Sequence, residues 1–198
     1  MNRPVNGLLL SLIVAVTLVA CGKKEEKAPA ASAGSDPLMV KIGAASPLTG
    51  PQAHIGIDIR NGTQLGVDDV NAAGLEIGGR KVRLELIAED DEANPTKATT
   101  VAQKLVDAKG VAGVGHFNSG ASIPASKIYS DAGIVQISPG STNPKYTQQG
   151  FKTTYRVVAN DDQQGPVGAQ FAVEKLVAKR IAVIDDSTAY GQGLANAF

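Results

Sequence analysis

Hydrophobic positions along this chain change period as they go, short runs giving way to longer helical spacings and back. Residues 38–47 (LMVKIGAASP) form a short apolar run ending in small residues, which predicts a strand running into a loop. Over residues 55–71 the period lengthens. Ile55, Ile59, Gly62, Gly66 and Val70 fall on one side of a helix, with small residues where a sheet can approach closely. Gly74 is placed to end that helix. A Gly-Gly turn then feeds a strand over residues 81–88. The run NPTKATTVAQKLVDAKG opens with a proline at a first turn and closes on Gly110, which predicts a second helix. A short buried strand at 111–115, a helix at 119–133 with Pro124 in its first turns, and a strand at 134–138 follow. After a long connection, 153–160 reads as extended, 161–177 as helical, 180–187 (RIAVIDDS) as a strand, and 190–198 as the start of a further helix.

Strands alternating with helices every roughly 25 to 30 residues predict βαβ units and an α/β fold with a doubly wound parallel sheet. Such a sheet holds ligands beyond the carboxyl ends of its strands. The loops there are AASPLTG, AEDDEANP, GHFNSGAS, SPGST and DDSTAYGQG, rich in Ser, Thr, Gly and Asp.

The N-terminus has a different character. Arg3 is followed by an uncharged apolar run over residues 7–20 and then by Cys21, the only cysteine. The run is shorter than the roughly 20 residues a membrane span needs, and suits the core of an export signal. Residues 22–37 (GKKEEKAPAASAGSDP) are charged and then rich in Ala, Pro, Ser and Gly, the composition of a disordered tether. The 198 residues carry 19 basic and 19 acidic side chains, with no basic run, so a nucleic-acid partner is not expected.

The glycine spacing in GHFNSGAS is one residue from a phosphate-binding P-loop, but Ala121 stands where that motif needs its lysine. The dinucleotide motif lacks its third glycine, and a serine-hydrolase elbow fails because Phe117 lies two before Ser119. Two readings remain. Ser119 caps its helix, or it and free backbone N–H groups at a helix N-terminus receive a carboxylate. SPGST is open in the same way. It is an ordinary turn, or one in which Thr142 offers a hydroxyl and N–H while Gly140 and Ser141 expose carbonyls to an ammonium group. Glu89, Asp90, Asp91 and Glu92 lack the spacing of a calcium loop and read as solvated acids before a helix. His54 and His116 have no partners at zinc spacing and read as polar loop residues, so no metal site is expected.

Two resemblances extend this reading. LVAC, with Leu18 and Ala20 before Cys21, resembles a bacterial lipobox. It implies a lipoprotein signal over 1–20, a tether over 21–36 and lipidation of Cys21, several acyl chains making a stable membrane anchor. Gly22 in place of Asp mildly favours the outer membrane. The alternative is a plain secretory signal. Six ordered blocks, KIGAASPLTGPQAHIG, NAAGLEIGGRKVRLELIAEDDEANP, GHFNSGASIPASKIYSDAGI, ISPGSTNPKYT, YRVVANDDQQGP and AYGQGLA, resemble the periplasmic binding proteins of branched-chain amino acid ABC transporters.

That resemblance implies a type I, two-lobed α/β clamp closing on one amino acid, with no catalysis and no cofactor. It implies an N-terminal lobe over 37–158 and the start of a second over 159–198. Ser119 and Thr142 would hold the ligand's α-carboxylate, and the Gly140 carbonyl and Thr142 hydroxyl its ammonium. Phe117 and Asn118 would line the pocket, Asp161 would sit at the crossover between lobes, and Tyr190 would reach the ligand from the second lobe. Ile55 stands where the family commonly has an aromatic over the ligand side chain. The implied place is the periplasm or cell envelope, and the implied partner an ABC permease. A sensory receptor on the same clamp and an exported hydrolase using Ser119 with His116 or His54 are the alternatives. The family's second lobe continues well past the point where this chain stops. The expectation is therefore a C-terminally truncated chain that binds weakly or folds poorly alone.

Overall fold

The computed structural model describes residues 36–109 and 111–198. The expected signal, tether and lipidation site at Cys21, and the helix stop at Gly110, lie outside the described residues. The expected alternation is present: β1 (Leu38–Ser46), α1 (Ala53–Ala73), β2 (Glu76–Ile77), β3 (Arg80–Asp90), α2 (Pro95–Asp107), β4 (Val111–Val114), α3 (Ser119–Asp131) and β5 (Val135–Ser138). A single-turn α4 (Lys145–Gln148), β6 (Thr154–Arg156), α5 (Asp161–Gln170) and α6 (Ala189–Ala197) complete it.

Six strands form one sheet in the order β2-β3-β1-β4-β5-β6. All neighbours are parallel except β2, which folds back on β3 through the Gly-Gly turn. β1 and β3 run in register from Leu38 opposite Val82 to Ser46 opposite Asp90. The first crossover runs from β1 outward to β3, and the second returns from β3 past β1 to β4. With right-handed crossovers this puts α1 on one face of the sheet and α2 and α3 on the other. The strand order reverses between β1 and β4, and an open sheet leaves a crevice at that point beyond its carboxyl ends. β1 becomes fully buried towards that end, at Ala44, Ala45 and Ser46.

α2 follows its sequence closely. Asn94 Oδ1 accepts the N–H groups of Thr96 and Lys97 (2.9 and 3.0 Å), and Pro95 occupies the first turn, where a missing N–H costs nothing. Ala98, Val101, Ala102 and Leu105 share the buried stripe, and the last three join Ala45, Val111, Ala125, Tyr129 and Ile134 in the main core.

Three expectations are corrected. The face that α1 turns to the sheet carries Gly56 and Val67, whereas Gly62, Gly66 and Val70 are exposed. Two polar ties set that rotation. Asn71 pairs its amide with both backbone groups of Leu84 (2.8 and 3.0 Å), and a side chain at Gly56 would run into the Pro47 carbonyl. The helix expected over 161–177 passes into a π-helical turn at Phe171–Lys175. The strand expected at 180–187 does not form. Among the described residues no strand pairs with it, and Ile181, Val183 and Ile184 are exposed, Ile184 at 92%. A strand without a ladder partner leaves its backbone groups to water.

Leu105 is the largest aliphatic side chain fully buried in the main core. Leu105→Ala is expected to lower unfolding free energy by about 2–5 kcal/mol in a urea titration, through lost transfer energy and the cavity left behind.

Candidate functional site

The turns after β4 and β5 are built on a buried polar network. Asp91, His116 and Tyr129 are each fully buried. His116 Nδ1 lies 2.9 Å from Asp91 Oδ2, and its Nε2 2.9 Å from the Tyr129 hydroxyl. Nδ1–H donating to Asp91 while Tyr129 O–H donates to Nε2 satisfies every group. Burial, reinforced by the charge of Asp91, pushes the Tyr129 hydroxyl far above its ordinary pKa, which keeps that donor proton in place.

The carbonyl of His116 extends the network. It accepts the hydroxyls of Ser138 (2.6 Å) and Ser122 (3.2 Å). Ser138 Oγ in turn accepts the N–H groups of Ser141 and Gly140 (2.9 and 3.3 Å). Ser141 Oγ donates to the Phe117 carbonyl (2.8 Å) and meets Ser122 Oγ at 2.5 Å. Residues 116–119 and 138–142 are thus one hydrogen-bonded body, and the Phe117 ring lies against Gly140 where a side chain would displace it.

A cleft of about 1000 Å³ opens over these turns. It gathers Ile55, Phe117, Asn118, Ser119, Gly140, Thr142 and Tyr190, which the sequence places far apart. Asn118, not Ser119, is the N-cap of α3, and its amide donates to Gln52 Oε1 (2.8 Å). Ala121 and Ser122 return their N–H groups to the Asn118 carbonyl. Those of Ser119 and Gly120 have no partner among the described residues, at the helix end that carries about half a positive charge. The Thr142 hydroxyl is buried and has no partner among the described residues. Donors, an acceptor hydroxyl and a positive helix end therefore converge on one space.

Two expected residues stand behind the cleft instead of lining it. Ser141 is fully buried in the network above, and its carbonyl is taken by Arg156 Nη1 (2.9 Å), so it is not free for an ammonium group. Asp161 is also fully buried. Its N–H donates to the Thr142 carbonyl (3.0 Å), and both carboxylate oxygens lack a partner among the described residues.

Other readings of the loops change too. Asp91 is buried and not a solvated acid, and Asp90, partly exposed, is tied into its loop. Asp90 accepts the Leu48 N–H (2.8 Å), the Thr49 hydroxyl (2.6 Å) and the Glu92 N–H (2.9 Å), and Asp91 accepts the Ala93 N–H (3.0 Å). These bonds hold Glu92 and Ala93 in the left-handed region at φ 53° and 54°. His116 lies in the loop after β4 as expected, but as a fully buried node of the network. Both its ring nitrogens are engaged, so it has none to act as a base for Ser119, and exposed His54 does not line the cleft. Sequence reasoning passed over Gln52 and Asn143, both of which line the cleft. The Asn-Pro step at 143–144 was the available signal for Asn143, since Asn before Pro favours turn initiation.

A parallel sheet opening on a polar cleft at its switch point is the architecture in which α/β proteins hold small ligands. The comparison is sharper: the Periplasmic binding protein family matches residues 39–198, and the chain belongs to that family. It is 46% identical over 159 residues to an amino acid binding protein of Pseudomonas aeruginosa, covering 80% of this chain and 42% of the relative. It is 46% identical over 158 residues to Leu/Ile/Val-binding protein homolog 1 of Brucella abortus, covering 79% of this chain and 42% of the relative. Among solved structures it is similar to the branched-chain amino acid transporter substrate binding protein LivJ of Streptococcus pneumoniae in complex with isoleucine. That match has a TM-score of 0.72 at 30% identity, over 80% of this chain and 45% of that one. The Desulfitobacterium hafniense ABC transporter substrate-binding protein complexed with Leu matches at TM-score 0.64 and 35% identity, over 81% and 46%. The chain thus spans less than half the length of these relatives, and carries the α/β fold of the type I periplasmic binding proteins.

His116→Leu leaves Asp91 buried without its ring partner and is expected to cost about 3–5 kcal/mol of unfolding free energy. Tyr129→Phe, which removes one donor and keeps the ring, is expected to cost about 1–3 kcal/mol in the same denaturant titration.

Proposed function

We propose that this chain belongs to an extracytoplasmic solute-binding lipoprotein that captures an amino acid, branched-chain or aliphatic, and delivers it to an ABC permease. One observation carries the reading. Ser119 and Thr142, on different turns, face one cleft beside unpartnered N–H groups at the start of α3. In this reading the ligand's α-carboxylate is received by Ser119 and Thr142 and by N–H groups at the head of α3. Its ammonium is received by the Gly140 carbonyl and the Thr142 hydroxyl. Ile55, Phe117 and Asn118 shape the side-chain end, and Tyr190 closes over the ligand from α6. Asp161 acts at one remove, through its bond to the Thr142 carbonyl, and Ser141 by stiffening the turn.

Relatives described as Leu/Ile/Val-binding, and solved relatives holding isoleucine or leucine, support the aliphatic class. The family supports the periplasm as the place of work, and the LVAC sequence supports anchoring through Cys21. Residues 37–158 form the first lobe in this account and 159–198 begin the second. Nothing in the grip calls for a cofactor, and the engaged ring of His116 counts against a hydrolase.

The test is a thermal-shift panel of the L-amino acids on the gene's full product. Ligand at a thousand times its dissociation constant adds about 4 kcal/mol of stability. Selective shifts with Leu, Ile or Val are the expected outcome, and a folded protein silent to every amino acid would refute the assignment. Thr142→Val, which deletes the hydroxyl and keeps the shape, is expected to weaken binding by about tenfold or more in calorimetry.

A further inference from the structure

Three successive residues after β5 tie the cleft to the elements that follow it, β6, α5 and α6. Ser141 gives its carbonyl to Arg156, and Thr142 gives its carbonyl to the Asp161 N–H at the head of α5. Asn143 reaches further still. Its backbone N–H donates to Ser119 Oγ (3.2 Å), inside the proposed carboxylate cradle, while its side-chain Nδ2 donates to the Ala189 carbonyl (2.7 Å) in the first turn of α6. Its Oδ1 accepts the Lys145 N–H (3.0 Å), which holds the amide in one orientation. One residue therefore touches both sides of the cleft.

The helix it reaches is shaped to receive it. Gly193 lies one turn beyond Ala189 on α6, and a side chain built there would collide with the Asn143 amide. At the head of α3, a side chain at Gly120 would meet the Ala189 Cβ in ordinary contact at 3.9 Å, so the two helices run close together there. Tyr190, which faces the cleft, follows Ala189 directly.

We propose that Asn143 is a positioning residue, a strap that seats α6, and with it Tyr190, across the cleft from Ser119. The strap rests on the binding reading above, because its value is to hold the far side of the grip in place once a ligand is seated. It predicts a kinetic asymmetry. The contact is made reversibly without ligand, and where it re-forms over a ligand already docked on the first side it slows dissociation and leaves the association rate unchanged.

Asn143→Asp tests it on the gene's full product. Aspartate keeps the oxygen that accepts from Lys145 but loses the donor to Ala189. Gly193→Ala breaks the same contact from the other partner, which guards against a folding defect peculiar to either variant. Both are expected to raise the dissociation rate constant for leucine by about three- to tenfold, at unchanged association rate, in surface plasmon resonance. In the ligand-free protein, hydrogen exchange at the α6 amides is expected to quicken while that of α3 is unchanged. Wild-type dissociation rates in both variants would overturn the proposal, and so would an equal loss in the association rate. If the wild-type protein binds no amino acid, the reading of the cleft fails on its own. Unaltered exchange in α6 of Asn143→Asp would then overturn the strap separately.

Discussion

Asp91 is a carboxylate with no exposed surface, and a charge so placed costs several kcal/mol unless partners meet it. The remainder of the site follows from how it is met. His116 turns its ring inward to Asp91 and Tyr129, which sends its main-chain carbonyl towards two serines. Those serines hold the turns after β4 and β5 against each other. The Thr142 hydroxyl and the N–H groups at the head of α3, which face the cleft, take no part in stabilising it. They project from a frame whose hydrogen bonds are already made, so that a ligand need not order the turns itself, and the entropy cost of binding is lowered.

The far side of the cleft is built on different terms. α6 is capped by its own residues, with Thr188 Oγ1 accepting the Gly191 N–H at 3.0 Å, and meets the turns through Asn143 and small side chains. The segment before it is irregular and exposes Ile181, Val183 and Ile184.

Local rules made most of the elements legible. Asn94-Pro95 starts α2, Gly74 ends α1 at φ 73°, and Gly78-Gly79 turns β2 into β3. What failed was decided by distant partners. The rotation of α1 answers to Asn71 on Leu84, a polar pairing that hydrophobic period cannot register. Residues 180–187 have the composition of a strand, but pairing is a property of two segments and not of one. Asp91, His116 and Tyr129 lie too far apart in sequence for any spacing rule to join them. The resemblance of ordered blocks did what local rules could not, bringing Ile55, Ser119, Thr142 and Tyr190 to one cleft. The carbonyl role read for Ser141 from its turn alone failed because a distant side chain, Arg156, takes that carbonyl.

Asp161 shows why a residue can sit near a ligand site without touching the ligand. It is the first residue of α5, where the helix end favours a carboxylate, and Arg156 lies near enough to couple with it electrostatically. Its N–H fixes the Thr142 carbonyl, which leaves the Thr142 hydroxyl as that residue's free group on the cleft side. A zwitterion needs opposite potentials at its two ends. The head of α3 supplies the positive one at Ser119 and Gly120, and a carboxylate behind Thr142 biases the other side towards an ammonium. The polarity of the proposed grip is thus set by two helix beginnings, one presented directly to the ligand and one acting through the backbone of the residue that touches it.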